Sequence, residues 1–297
     1  MGAAVVVAAP LAAGCGANES PGSEAGNDQA VPAMVSNGVV SVPVSIAGAM
    51  TMPFLVDTGA VLTRLDPTRF GALAIAPGLA HVSTLDVGNV HLSDVEVVAA
   101  GLCGAGVMCP GTGPAGLLGG AVMDGLAVTI DYRRSAVTFG DFTAPADARA
   151  PVMVSFALEG GGSSTVDGVA VTLPATRISV AVDIEGMLVP MIVDTGSSTM
   201  VLGSALYDAI VADGRAQTTT NVNTVTGTAS VPSTKLRAVT LGGAVQSSLA
   251  AIRSPLDMSP LSLEVGHPVL GLVGGAYLGN YLTTIDYPAR LVTLRPY

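Results

Sequence analysis

Charge is scarce in this chain: only 11% of its 297 residues are Asp, Glu, Lys or Arg, against a usual share of about 25%. Basic charge is scarcer still, with 12 Lys and Arg against 22 Asp and Glu, a net charge of -10 and a pI near 4.5. The basic residues are scattered with no run. That excludes nucleic acid as a partner, because phosphate backbones are held by clustered Lys and Arg. An uninterrupted apolar helix is also missing. Mean hydropathy is +0.60, yet the longest plausible span, residues 97 to 123, though uncharged, is crowded with Gly and holds two prolines. A lipid-exposed helix tolerates that poorly, so the stretch reads as buried strand and loop. Cysteine and histidine number three each. Cys103 and Cys109 with the isolated His81, His91 and His267 offer no metal-ligand spacing, and the histidines read as ordinary strand or surface residues. No local Ser-His-Asp signature is present.

The N-terminus stands apart from the rest. A short apolar stretch is followed abruptly by a polar Gly/Ser/Asn-rich segment, the pattern of a targeting signal and tether. Leu11-Ala12-Ala13-Gly14-Cys15 resembles a bacterial lipobox, which implies lipidation at Cys15 and a membrane anchor through that lipid. No Lys or Arg precedes the apolar stretch, a departure from the lipobox pattern; an ordinary signal peptide or a disordered tail are the alternatives. Export to the periplasm or cell surface is the expectation. With Cys15 set aside, Cys103 and Cys109 form an even pair, either a disulfide closing a Gly-rich loop or two buried thiols.

What the chain has in plenty is itself, twice over. Residues 116 to 139 and 271 to 294 align without a gap, with Gly116, Leu117, Gly119, Gly120, Ala121, Thr129, Ile130, Asp131, Tyr132, Val137 and Thr138 recurring identically. Upstream of each copy an apolar run leads into Asp-Thr-Gly, at Asp57-Thr58-Gly59 and at Asp194-Thr195-Gly196, and Pro53 and Pro190 stand four residues before the two aspartates. The chain is therefore two copies of one unit. The expected division is a signal and tether over 1–35, a first lobe over 36–142, a hinge over 143–151 and a second lobe over 152–297.

Short runs rich in Val, Ile, Leu and Thr, bounded by Gly, Asn, Asp and Pro, predict strands throughout. Helical periodicity is weak: residues 197–214 are the best helical candidate and residues 66–74 a shorter one. At the end of a strand, Asp-Thr-Gly makes a tight turn. Gly lets backbone N–H groups approach the carboxylate, and the Thr hydroxyl can bond to neighbouring backbone. Asp131 and Asp286, which also repeat, precede hairpin turns and read as turn caps.

On these residues the chain resembles the aspartic proteases over nearly all of residues 40 to 297. In that family each lobe supplies one catalytic Asp from Asp-Thr-Gly, and a later apolar-apolar-Gly strand passes behind the turn. Here the matching elements are Asp57-Thr58-Gly59-Ala60 with Leu117-Leu118-Gly119, and Asp194-Thr195-Gly196-Ser197 with Leu272-Val273-Gly274. The short lobes and closing Thr-Ile-Asp-Tyr strands look more like the retroviral-type members than like pepsin. The resemblance implies an all-β fold of two pseudo-twofold-related β-barrel lobes with a cleft between them. It also implies catalysis by Asp57 and Asp194, supported by Thr58, Gly59, Thr195, Gly196 and Ser197, on a peptide or protein substrate. No cofactor and no metal are called for, and the active site is complete in one chain.

The copies differ in one place: the stretch from Asp194 to Gly242 is longer than that from Asp57 to Gly88. The surplus, residues 218–234, reads as a hairpin, expected to act as a flap with Val225, Thr226 and Gly227 at its tip. A pepsin-like flap would lie in the first lobe and carry a Tyr; none occurs between Asp57 and Gly88. Ser197 against Ala60 is the other asymmetry. A Ser197 hydroxyl donating to the adjacent carboxylate would make Asp194 the more readily ionised of the pair. A silent peptide- or polymer-binding lipoprotein with the same cleft is the alternative to a protease.

Overall fold

The computed structural model describes residues 30–102, 113–144, 149–166, 169–224 and 227–297. In the first lobe, Val39–Ile46 pairs with Thr51–Val56, which runs parallel to Gly116–Leu118. The sheet continues through Thr63–Leu65 and Val90–Ala99 to Gly78–Val87. That last strand returns to the first, with Ser45 opposite Asp86, so six strands close into a barrel. Alternation decides which face fills it: Val40, Val42, Val44 and Ile46 point inward and are wholly buried, the period of two expected of a half-buried strand.

The second lobe repeats this order with Arg177–Ile184, Met187–Val193, Gly271–Val273, Met200–Leu202 and Leu249–Arg253. Its last two barrel strands are each broken. Gly227–Leu236 pairs with Leu249–Arg253, and Val239–Leu241 with Ala244–Gln246, and one register runs through both pairs. The break falls at Ser248, with φ of 56°, and the first-lobe equivalent, Asp94, has φ of 51°. Both copies thus bend the same strand at the same place.

A six-stranded sheet joins the lobes. Its four inner strands are the closing hairpins of the two repeats, Ala127–Asp131 with Ala136–Phe139 and Tyr281–Asp286 with Leu291–Pro296, and its edges are Ala30–Pro32 and Val152–Ser155. At its centre Thr129 lies opposite Thr284, its own repeat equivalent, and their hydroxyls are 2.8 Å apart. The pseudo-twofold axis runs between them. Because this sheet packs on both barrels, one buried apolar cluster runs unbroken from Val40 in the first lobe to Tyr277 in the second.

The helical expectations are met by Ser204–Val211 and by the 3-10 turn Pro67–Leu73, whose Asp66 cap accepts from Thr68 N at 3.0 Å. Within residues 97–123, the first three end the strand Val90–Ala99 and Gly116–Leu118 forms another, while residues 103–112 lie outside the described residues; no helix among the described residues is long and apolar enough to cross a membrane. Elements that went unread in the sequence include helix Ser259–Val265, the short helices Gly120–Met123 and Gly275–Leu278, and the isolated hairpin Gly162–Val166 with Val169–Leu173. The expected tether also needs correction at its end. Ala30–Pro32 pairs with Ala136–Thr138 and Met34–Ser36 with Val39–Ser41, so the first lobe takes in residues before 36. Residues 141–144 and 149–151 of the hinge region hold no regular structure.

Candidate active site

Each Asp-Thr-Gly sits where an apolar strand runs out of partners. Asp57 follows Thr51–Val56 and Asp194 follows Met187–Val193, and each backbone N–H still reaches the neighbouring strand, at Leu118 O and Val273 O, both 3.0 Å away. The chain then turns on the Asp side chain itself. Gly59 N donates to Asp57 Oδ1 at 2.9 Å and Gly196 N to Asp194 Oδ1 at 2.9 Å. Behind the turns pass the apolar-apolar-Gly strands. Gly120 N donates to Ala60 O at 2.8 Å and Gly275 N to Ser197 O at 2.7 Å, an approach that a side chain on Gly119 or Gly274 would block by striking the backbone of Leu62 or Thr199.

The two turns meet at the lobe boundary through their threonines. Thr58 N donates to Thr195 Oγ1 and Thr195 N to Thr58 Oγ1, and each hydroxyl passes its own proton to the strand leading into the opposite aspartate, at Val193 O and Val56 O. Both threonines are wholly buried. The glycines set the spacing: a Cβ on Gly59 would lie 2.6 Å from Asp194 Cγ, and one on Gly196 would lie 2.5 Å from Asp57 Cγ. No other residue fits between each turn and the facing carboxyl.

The result is two carboxyls, each about 1% exposed, within hydrogen-bonding reach of each other. Burial pushes Asp57 up to about 6, offset by its bond with Asp194 and by the N–H donors of Gly59 and Ala60. Asp194 is pushed well above the ordinary carboxylate range, first by burial and then by the charge of Asp57. The asymmetry has a geometric cause. Asp57 Oδ1 accepts from two backbone N–H groups, Gly59 and Ala60, the latter at 3.1 Å; among the described residues Asp194 Oδ1 accepts from Gly196 alone. Asp57 Oδ2 is fully buried and takes no bond from any backbone or hydroxyl donor among the described residues. The additional backbone donor favours the ionised form at Asp57 over that at Asp194.

That reverses the expectation drawn from Ser197. Its hydroxyl turns away from Asp194 and donates to Thr199 O at 3.0 Å, so it stabilises the turn and leaves the carboxylate alone. Sequence reasoning also missed Arg177, buried beside both aspartates, and its partner Glu264. A lone Arg at the start of a strand carries no local signal. The helix bearing Glu264 does carry one, Pro260 near its start and Gly266 just past its end with φ of 82°, the usual Pro-first, Gly-last pattern.

Cys15, Cys103, Cys109, Val225 and Thr226 lie outside the described residues. Gly227 begins the second strand of the expected hairpin, whose register runs from Thr218 opposite Ser233 to Thr224 opposite Gly227. Val222 and Val231 of that hairpin are buried with Ile192, Val201, Ile252, Val269 and Leu272. Asp131 and Asp286 cap their turns, accepting from Arg134 N at 2.9 Å and Ala289 N at 2.8 Å. The histidines pair with acidic side chains: His81 with Asp94, His91 with Asp86 and His267 with Glu159.

Residues 180–275 match the sequence model of the aspartyl protease family. A search of curated proteins finds no match. Among solved structures, the crystal structure of the aspartic proteinase from Irpex lacteus superposes with a TM-score of 0.56 at 14% identity, covering 90% of this chain and 96% of that one. At that identity the likeness speaks for the fold. The aspartyl protease sequence pattern thus lies in the second lobe, and the fold is similar to that of an aspartic proteinase over 90% of the chain.

Proposed function

We propose that this chain is an aspartic endopeptidase in which Asp57 and Asp194 act as a pair on a water molecule. One observation carries the reading: two buried carboxyls, one on each lobe, are held in hydrogen-bonding reach by reciprocal threonine bonds. Like charges at that spacing do not both ionise, so the pair keeps one proton; aspartic proteases are the standard case of this behaviour. Asp57, ionised, takes a proton from water as the oxygen attacks the peptide carbonyl carbon. Asp194, protonated, gives its proton to the carbonyl oxygen. In the return step Asp57 passes its proton to the leaving amine nitrogen, Asp194 regains one from the tetrahedral diol, and the C–N bond breaks. No covalent intermediate forms.

The substrate class is an extended peptide segment, bound by strand-like backbone pairing. The hairpin Thr218–Thr224 with Gly227–Leu236 serves as the lid over it. Export and lipid anchoring through Cys15, and a disulfide between Cys103 and Cys109, belong to the same proposal and rest on the sequence.

The test is cleavage of a mixed peptide library by purified protein, with and without a statine-type inhibitor. Cleavage that the inhibitor blocks is the expected result. Tight peptide binding without cleavage at any pH from 3 to 8, a range spanning ordinary and raised carboxyl values, would replace the enzyme with a binding protein.

A further inference from the structure

Outside the dyad, one charged side chain is buried almost as deeply. Arg177 opens the first barrel strand of the second lobe and is 3% exposed. Its guanidinium reaches in two directions. Nη1 donates to the carbonyl oxygen of Gly59, in the Asp57 turn of the opposite lobe. Nε and Nη2 donate to the two carboxylate oxygens of Glu264 at 2.7 and 3.2 Å. A buried guanidinium is tolerated only when paired and fully bonded, and its planar fork can serve both partners at once where an ammonium could not. The first lobe has no equivalent: by strand register the corresponding residue is Val39, which packs with Leu55, Ala60 and Leu117. Beyond the threonine exchange shared by both turns, the Asp57 turn is thus held from the opposite lobe by a buried guanidinium.

We propose that Arg177 is a positioning residue for the dyad: it fixes the Asp57 turn from the second lobe through the Gly59 carbonyl and sets a permanent positive charge beside both carboxyls. This rests on Asp57 and Asp194 being the reacting pair. Arg177 favours the ionised form of each aspartate, against the larger opposing effect of burial. The other charged or titratable groups facing it among the described residues are Glu264, which pairs with it, and Glu159, which stands opposite it in the strand register and is bonded to His267; Tyr287 is buried near Asp57. Glu264 partly cancels the arginine's field at the dyad, so the two side chains have opposite effects there.

The experiment compares Arg177→Met, Arg177→Lys and Glu264→Gln with the parent in the full chain. It reads the pH dependence of kcat/KM and, independently, the 13C-carboxyl NMR titration of the aspartates, assigned with Asp57→Asn and Asp194→Asn. Arg177→Met should move both limbs of the profile to higher pH by about half to one unit, since loss of a neighbouring cation raises both carboxyls. Glu264→Gln should move them to lower pH. Arg177→Lys keeps the charge but cannot bridge both partners, so its limbs stay in place while kcat falls. Unmoved limbs and unmoved carboxyl titrations in both Arg177→Met and Glu264→Gln would overturn the proposal; if Arg177→Met does not fold, Glu264→Gln and Arg177→Lys decide it. A protein that cleaves nothing would sink the protease reading alone, because the NMR titration still reports whether Arg177 biases the pair.

Discussion

Thr58 and Thr195 are each other's hydrogen-bond partner: the backbone N–H of either donates to the hydroxyl oxygen of the other, both at 3.1 Å. Each hydroxyl then donates at 2.7 Å to the carbonyl just before the opposite aspartate. Neither turn can shift without dragging its counterpart, so the spacing of the two carboxyls is a property of the lobe boundary and of neither lobe alone. The repeat supplies two identical turns, and the threonines make them one object.

Thr58→Val and Thr195→Val keep the shape of the side chain but leave a buried N–H and a buried carbonyl without partners. Each should cost about 2 to 6 kcal/mol, at about 1 to 3 for each orphaned group. Thr→Ser at the same sites keeps the bonds and loses a methyl, for about 1 kcal/mol. Urea midpoints of the four variants check this; valine variants no less stable than the serine variants would refute the bonded exchange.

Activity and stability should depend on pH in opposite senses around the same group. With Asp57 pushed up to about 6, kcat/KM should rise with pH through about that value and fall again where the pair loses its second proton, the two limbs belonging to the pair as a unit. Stability runs the other way. The folded state holds the Asp57 proton more tightly than the unfolded chain, so stability is lost as pH rises from the ordinary carboxylate value toward 6. Asp57→Asn should therefore cut turnover by at least about 100-fold while raising stability at pH 7 by up to about 3 kcal/mol, a gain that vanishes below about pH 4. Asp194→Asn should abolish turnover equally. Thermal unfolding at pH 4 and pH 7, run beside an activity assay, reads both effects.

The glycine and the serine of the second turn have different duties, and single substitutions separate them. Gly196→Ala places a Cβ 2.5 Å from Asp57 Cγ, which pushes the carboxyls apart and should abolish turnover in a protein that still folds. Ser197→Ala removes the bond to Thr199 O, costing about 1 kcal/mol, and should leave both limbs of the pH profile where they are. A displaced acid limb in Ser197→Ala would mean that the hydroxyl reaches the carboxylate after all.

Excising residues 219–232 and closing with a short Gly turn should lower kcat and raise KM together, as loss of a lid does. It should also cost stability, because Val222 and Val231 are buried against Ile192, Val201 and Leu272 and their removal exposes that cluster. A folded deletion protein with unchanged kinetics would make the hairpin a surface insertion.

The sequence by itself determined the two-lobed β architecture, because that information is local or repeated. Alternating Val and Ile mark the strands, Asp-Thr-Gly marks the turns, and the gapless recurrence of Gly116 through Thr138 fixes which segments correspond. The surplus before Gly242 likewise announced a hairpin, and Thr218–Thr224 does pair antiparallel with Gly227–Leu236. What only the tertiary structure decided was which atoms face which across the boundary. Ser197 was expected to serve its neighbouring carboxylate, yet the turn aims its hydroxyl at Thr199. Arg177 carried no signal because its meaning lies 118 residues away, at the Gly59 carbonyl. The bias toward charge on Asp57 comes from one additional backbone N–H, that of Ala60, a difference in turn geometry that the residue names do not encode. Patterns of apolar residues report burial against a face; the bias of a buried charge pair is set by single donors within about 3 Å, and those distances exist only once both lobes have closed.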